Sequence, residues 1–450
     1  MLEKIFKLKD NNTNLQTEFI AGLTTFMAMS YVIFVNPSVL SQTGMDYNAV
    51  YGATILASII GTLVLAFYAN VPYAQSAGIG IGSLFTYTLC GSMGYTWQQA
   101  LAMVFICAII NLMVTLTSLR KKIINAIPHH LQEAITVGIG LFITYIGLMN
   151  AGLIQFQADS VNNGIAQNVV PSLVPFNTPA TLLAIIGLLI TILLVIFKIK
   201  GAYLISIVLT TIIGFPLGVT QVPSFMNYTI LPDLAPTFLQ LDLVGLFSAK
   251  SSILIVLMTI FTLCISDLFD SIGVFIGTGK KSGIFKITKN NKMPKKLEKA
   301  LIADSTGTVF GAILGTSNVT TYLESTAGIE SGGRTGLTSV FVAAFFFLAL
   351  FLSPIIKIVP TAAIAPVLIM IGVSMIEDIS EIDWKDILIA IPAFFTIVFM
   401  PFAYSITAGI EIGFILYTFI NIIHRHEKEV SPIMIILSIL FIINFIFTAL

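Results

Sequence analysis

Gln75-Ser76-Ala77-Gly78-Ile79-Gly80-Ile81-Gly82-Ser83-Leu84-Phe85-Thr86-Tyr87 and Ser317-Asn318-Val319-Thr320-Thr321-Tyr322-Leu323-Glu324-Ser325-Thr326-Ala327-Gly328-Ile329 are two short apolar stretches crowded with Gly, Ser and Thr. They sit in a chain of 450 residues that is 56% hydrophobic and only 10% charged, with a mean hydropathy of +0.97. A soluble domain carries about 25% charged residues, so there is too little polar surface here to face water all round. Largely apolar runs of bilayer-crossing length, about 20 residues, recur near 18–36, 50–69, 97–118, 130–150, 180–197, 201–219, 253–278, 298–315, 335–353, 358–376, 386–402, 404–423 and 431–449. The quoted segments, near 75–91 and 317–331, are shorter. Counted as crossings, each is the third element of a set of seven, and 431–449 is a C-terminal extra. An odd number of crossings inverts the second set relative to the first. The expected fold class is an all-α polytopic membrane protein, a seven-plus-seven transmembrane inverted repeat with two broken half-helices.

Charge placement agrees with that count. With the N-terminus in the cytoplasm, the even-numbered connections hold Arg120-Lys121-Lys122, Lys198 and Lys200, the Lys280–Lys299 run, Arg334, Lys385, and Arg425 with Lys428. The odd connections hold only Lys250 and Lys357, and 152–179 holds no basic residue, as the positive-inside rule requires. A polar start with Lys4, Lys7 and Lys9, and no small-residue cleavage site, makes the first span a permanent helix. The lysine run reads as a cytosolic loop rather than a nucleic-acid patch, and net charge is zero. Gly277-Thr278-Gly279-Lys280-Lys281-Ser282 lacks the first Gly and the metal-binding hydroxyl of a phosphate loop. Cys90, Cys107 and Cys264 have no metal-ligand spacing, and the four histidines flank loops. No cofactor or metal is expected.

Paired, glycine-interrupted segments at matching places point to a binding site at mid-membrane. Backbone that leaves a helix inside lipid has to line protein or water. A half-helix then offers free N–H groups and a positive dipole end to a ligand's carbonyl oxygens or ring nitrogens. Glycines let a flat ligand come close, although Gly78, Gly80 and Gly82 alone would also suit a tight helix crossing.

Carboxylic acids mark the same depth. Asp267, Asp270, Asp304, Glu324 and Glu411 lie near the middle or inner half of their spans, where an ionisable group costs about 2.5–3.5 kcal/mol and signals function. Asp267 and Asp270, three apart, share a helix face. With no Lys or Arg inside the spans to neutralise them, they must be protonated part of the time or be met by polar donors or a ligand. Proton coupling fits that need. A carboxylate also accepts from the ring N–H and exocyclic NH₂ groups along one edge of a purine. Asp304 suits a bond to a neighbouring helix better than to substrate, Glu411 has no assigned role, and Glu18, Glu133 and Glu330 fall at span ends as interfacial acids.

At these residues the chain resembles the nucleobase–cation symporters related to xanthine and uracil permeases, specifically the AzgA-like hypoxanthine/adenine/guanine branch. The marks are Glu18 to Phe26 leading to Asn36-Pro37, Gly138-Ile139-Gly140-Leu141-Phe142, Asp267-Leu268-Phe269-Asp270, and Gly315 through Glu324-Ser325 to Gly332-Gly333-Arg334-Thr335-Gly336-Leu337. The resemblance implies a core domain (elements 1–4, residues 1–128, and 8–11, residues 250–353) and a gate domain (elements 5–7, residues 129–222, and 12–14, residues 354–450 with the C-terminal segment). It also implies Asp267 and Glu324 as the main substrate contacts, with Asp270 supporting. Gly82 stands where the family usually has Asn, with Ser83 next and Ala77 in place of a common Pro. Glu411 stands where a small or apolar residue is commoner.

The expected activity is import of a purine nucleobase by proton symport across the cell membrane, with alternating access from movement of core against gate. The expected substrate set is Glu324, Asp267, backbone at Gly80, Gly82 and Ser83, and Thr320, Thr321 and Tyr322, with Phe85, Tyr87 or Tyr322 stacking on the ring. Asp267, Asp270, Glu324 and Asp304 form the proton-coupling set. Na⁺ in place of H⁺, the preferred purine and a homodimer stay open. An anion carrier of the same architecture would want Arg or Lys at the half-helix ends, and a uracil or xanthine permease is the nearer alternative. An intramembrane enzyme lacks its motifs.

Overall fold

The structure is a computed structural model that describes residues 2–117, 127–162, 165–221, 231–248, 253–282, 284–285, 294–352, 358–424 and 430–449. The basic runs expected at Arg120-Lys121-Lys122, at Lys286, Lys289 and Lys292 of the Lys280–Lys299 loop, and at Arg425 with Lys428 lie outside the described residues, as do Lys250 and Lys357.

The helices follow the hydropathy. After a short α1 (Leu2–Phe6), the first crossing is α2 (Leu15–Met29) and α3 (Val32–Leu40), bent at Ser30 and Tyr31, with Pro37 inside α3. Pro37 has no N–H for the carbonyl one turn back. Next come α4 (Tyr47–Val64), β1 (Gln75–Ala77), α5 (Ile79–Ser83) continuing as a π-helix to Ser92, and α6 (Trp97–Leu116). Then follow α7 (His129–Asn150), a hairpin of β2 (Ile154–Asn162) and β3 (Ile165–Leu173), α8 (Pro179–Ile196), α9 (Ala202–Gly214) and the short α10 (Leu243–Ser248). The second set is α11 (Ile253–Ser282), α12 (Lys295–Leu314), β4 (Val319–Thr321), α13 (Ser325–Glu330), α14 (Gly336–Ala349), α15 (Thr361–Met375), α16 (Ile387–Phe402) and α17 (Ile406–Ile423). The C-terminal extra is α18 (Pro432–Ala449). Several starts carry side-chain caps, as Asp46 on α4, Thr96 with Gln99 on α6 and Ser405 on α17.

Packing repeats with the inversion. In one group, α4 lies against α12 and α14, while α12 lies against α4 and α6; α2 meets α14 as α11 meets α6. In the other, α7 lies against α15 and α16, while α15 lies against α7 and α8. Exchanging each element for the one seven places on maps these pairs onto one another. Large apolar side chains such as Phe402, Ile196 and Ile423 are left exposed on the outside, where lipid rather than water is the fitting solvent.

Two local features differ from what the sequence led us to expect. The connection 154–173 is an antiparallel hairpin, pairing Ile154 with Leu173 and Asn162 with Ile165. Its alternation, Ile154-Gln155-Phe156-Gln157-Ala158-Asp159, is a strand pattern. Glu18 is not interfacial. It is fully buried, and its carboxylate accepts from the backbone N–H of Arg334 and of Thr338, each at 3.0 Å, and from the Thr338 hydroxyl at 2.5 Å. It thus holds the positive start of α14, fixing the first span to the eleventh element.

Candidate functional site

The two interrupted segments meet. β1 and β4 pair antiparallel, with Gln75 opposite Thr321, Ser76 opposite Thr320 and Ala77 opposite Val319. The ladder is extended by Tyr322 N–H to Ala74 O at 3.0 Å and Gly78 N–H to Asn318 O at 3.1 Å. Extended backbone at this depth is tolerated because each strand satisfies the other. Each half-helix starts just beyond its strand, α5 after Gly78 and α13 after Glu324. No side chain caps Gly78, and Gly82 is the first α5 residue to return its N–H to the helix, to Gly78 O at 2.8 Å. The amides of Ile79, Gly80 and Ile81 precede that bond, as helix starts require. The Tyr322 amide, expected to meet substrate, is already given to Ala74.

Four acids hang on this crossing, Asp267 and Asp270 from α11, Asp304 from α12 and Glu324 from the β4–α13 turn. Asp304, buried on α12, accepts from Gln75 Nε2 at 3.1 Å, from the Thr321 hydroxyl at 2.8 Å and from the Ser271 hydroxyl. It ties both strands to α11 and α12. Asp267 is 2% exposed; Asn111 Nδ2 donates to one of its oxygens at 2.9 Å and Asn318 Nδ2 to the other at 2.8 Å. Hydrogen bonds to a charged group are worth roughly 1.5–3 kcal/mol each, so this carboxylate is firmly held. Asp270, one turn on, is partly open, lies beside Thr320, and is within electrostatic reach of Asp267, Asp304 and Glu324.

Glu324 is also partly open, and Tyr31 donates its hydroxyl to Glu324 Oε1 at 2.5 Å. Aromatic rings gather around it. Tyr31 meets Tyr203 of α9 edge-on at 5.2 Å and Tyr322 at 6.4 Å, and the Tyr322 hydroxyl donates to Ala77 O at 2.5 Å. Across from them Gly80 faces α7, where an added Cβ would come 3.1 Å from Ile139 Cγ2.

The remaining expected positions divide. Thr320 and Thr321 are buried and turned to Ser271 and Asp304. Ser83 is buried, and Phe85 is fully enclosed in the main hydrophobic cluster, which also takes in Tyr31 and Tyr322. Tyr87 joins Phe142 and Tyr404 in an aromatic group between the two helix groups. At Gly82 a Cβ would meet Asn36 Oδ1 at 3.4 Å and Ser317 Oγ at 3.5 Å, ordinary contact, and the Ser317 hydroxyl is buried without a partner among the described residues. Glu411 accepts from Asn444 Nδ2 of α18 at 2.9 Å, far from the crossing in its contacts. Sequence reasoning had not singled out Tyr31, Tyr203, Asn111, Gln75 or the role of Asn318. A tyrosine or amide in mid-span was the available signal.

A family model described as Permease family (Xan_ur_permease) matches residues 16–412. Adenine permease AdeP of Escherichia coli K12 is 38% identical over 454 residues, covering 99% of this chain and 96% of that one. Guanine/hypoxanthine permease PbuO of Bacillus subtilis 168 is 37% identical over 446 residues, covering 98% and 99%. The transmembrane domain of a cyanobacterium bicarbonate transporter, BicA, shares the fold with a TM-score of 0.63 at 18% identity, over 88% of this chain and 97% of that one. The paired strands, the inverted packing and these matches together make the chain a multi-pass membrane protein, not an enzyme, and a member of the xanthine/uracil permease family.

Proposed function

We propose that the protein imports a purine nucleobase by proton symport, with the base held between Glu324 and Asp270 on one side and the start of α5 on the other. The observation that carries this is Glu324, a partly open carboxylate placed where β4 turns into α13 and bonded to Tyr31, whose ring meets Tyr203 of the other helix group. A purine offers N–H and NH₂ donors along one edge, suited to carboxylates. It offers ring nitrogen or carbonyl acceptors along another, suited to the amides of Ile79, Gly80 and Ile81. The rings of Tyr31, Tyr322 and Tyr203 and the Ile139 side chain supply flat, apolar walls. Micromolar affinity needs about −8 kcal/mol, which a few hydrogen bonds in a dry slot can provide.

Asp267 takes a supporting role in this scheme, because both its oxygens are occupied by amides. Asp304 likewise anchors the strands. A proton moving with the base lowers the negative charge of the Glu324 and Asp270 pair by one, so the loaded site crosses with less buried charge. Elements 1–4 and 8–11 act as the core that carries the site, and elements 5–7 and 12–14 as the gate, in the cell membrane with a cytoplasmic N-terminus. The full-length relatives named for adenine and for guanine/hypoxanthine support a purine over an anion, since the bicarbonate transporter shares the fold alone.

The test is uptake of radiolabelled hypoxanthine, guanine and adenine by cells lacking their own purine permeases. Glu324→Gln should abolish uptake while the protein still reaches the membrane, and Asp267→Asn should depress it. Normal transport by Glu324→Gln would remove the assignment.

A further inference from the structure

Tyr31 occupies the bend between α2 and α3, is 2% exposed, and gives its one hydroxyl proton to Glu324. Against its ring, edge to face, lies Tyr203, two residues beyond Gly201 at the start of α9. α9 belongs to the gate-side group, whereas Tyr31 and Glu324 both belong to the core side. The same junction is tight around it. Gly201, with φ of +75°, leaves only 3.1 Å between an added Cβ and the Met27 side chain or carbonyl, and Lys200 Nζ donates to Ser331 Oγ at 3.1 Å. The Tyr203 ring therefore packs at right angles to the ring that orients the Glu324 carboxylate.

Among the described residues, four titratable side chains are within electrostatic reach of Glu324. Tyr31 comes from the first element, Tyr203 from α9, Tyr322 from its own turn, and Asp270 from α11. Of these, Tyr31 is the one that donates a hydrogen bond to it in this structure. Withdrawing the Tyr203 ring would free the Tyr31 phenol to rotate, and Glu324 would lose a donor that favours its charged form. Domain position and proton binding would then be linked through one hydroxyl.

We infer that Tyr31 is a positioning residue for Glu324, and that Tyr203 on the gate side decides whether its hydrogen bond is held. This rests on the nucleobase site proposed above. Both residues act through another group, so loss of transport alone would not identify the role; the pH dependence of base binding would.

The experiment is calorimetric titration of the purified protein with hypoxanthine, guanine or adenine across pH, which reports even for a variant that cannot turn over. In Tyr31→Phe the ring and its packing stay while the donor goes, and the midpoint of the binding profile should move to higher pH by about one pH unit. Tyr203→Ala should move it the same way, and Tyr203→Phe, which keeps the ring edge, should match wild type. A wild-type profile in Tyr31→Phe, or in Tyr203→Ala while Tyr31→Phe is shifted, would overturn the inference. Glu324→Gln run alongside separates the two levels. If it binds the base as wild type does, the nucleobase site itself is wrong; if it does not while Tyr31→Phe is unchanged, only the role of Tyr31 falls.

Discussion

Gly78 gives its backbone N–H to the carbonyl of Asn318 at 3.1 Å, and the Asn318 side chain fills the space where any other residue at 78 would carry its Cβ. The added atom would stand 2.7 Å from Asn318 Oδ1 and 2.9 Å from Nδ2. Asn318 cannot retreat freely, because its Nδ2 also holds Asp267. Glycine is needed here to leave room for the Asn318 side chain.

Gly78→Ala should therefore cost about 1–3 kcal/mol, seen as a lower melting temperature in detergent together with loss of purine uptake. An unchanged melt for this variant would mean the crossing is looser than described.

Asn111 and Asn318 lock Asp267 from two different elements. Removing either donor, by Asn111→Ala or Asn318→Ala, leaves one oxygen of a buried carboxylate unmet, at about 1–3 kcal/mol. In a double-mutant cycle the two substitutions should be non-additive, since they share one partner. Additive melting shifts would show that the two amides act separately.

The notch at Gly82, bordered by Asn36 and Ser317 at ordinary contact distance, has room for a small side chain. Gly82→Ala should fold and reach the membrane normally. Gly82→Asn restores an amide beside the Ser317 hydroxyl and should change which unlabelled bases compete for uptake, by severalfold or more in inhibition constant. An identical competition panel would place position 82 outside the site.

Most of the architecture could be read from the sequence because bilayer thickness fixes the length of an apolar run. The bounds of α6, α7, α8 and α12 fall within about three residues of the hydropathy runs. The odd crossing count likewise led to the inversion now seen in the packing. The pairing of β1 with β4 was not legible, since three-residue strands are too short to show a period. Nor was the fate of each acid. Hydropathy located Asp267, Asp270, Asp304 and Glu324, but whether an acid is enclosed by amides or left open depends on partners from distant elements. Asn111 stands 156 residues from Asp267, and Tyr31 stands 293 from Glu324. The strand alternation of 154–159 was present but short, and it lay in a connection where no element was expected.

Glu411, unplaced from the sequence, is joined to Asn444 on the helix beyond the fourteen. Asn444→Leu should destabilise the protein by about 1–3 kcal/mol through an underserved buried carboxyl, whereas Glu411→Gln should leave uptake near wild type. Abolished uptake in Glu411→Gln, with normal melting, would give this residue a share in coupling.

The most direct measurement is uptake by the purified protein in sealed liposomes carrying an imposed pH gradient, acid outside, with labelled purine and no sodium. Accumulation above the external concentration is expected, collapsing when a protonophore is added and absent for Glu324→Gln. Uptake that merely equilibrates, that needs sodium instead of the gradient, or that persists in Glu324→Gln would contradict a proton-driven purine carrier built on that carboxylate.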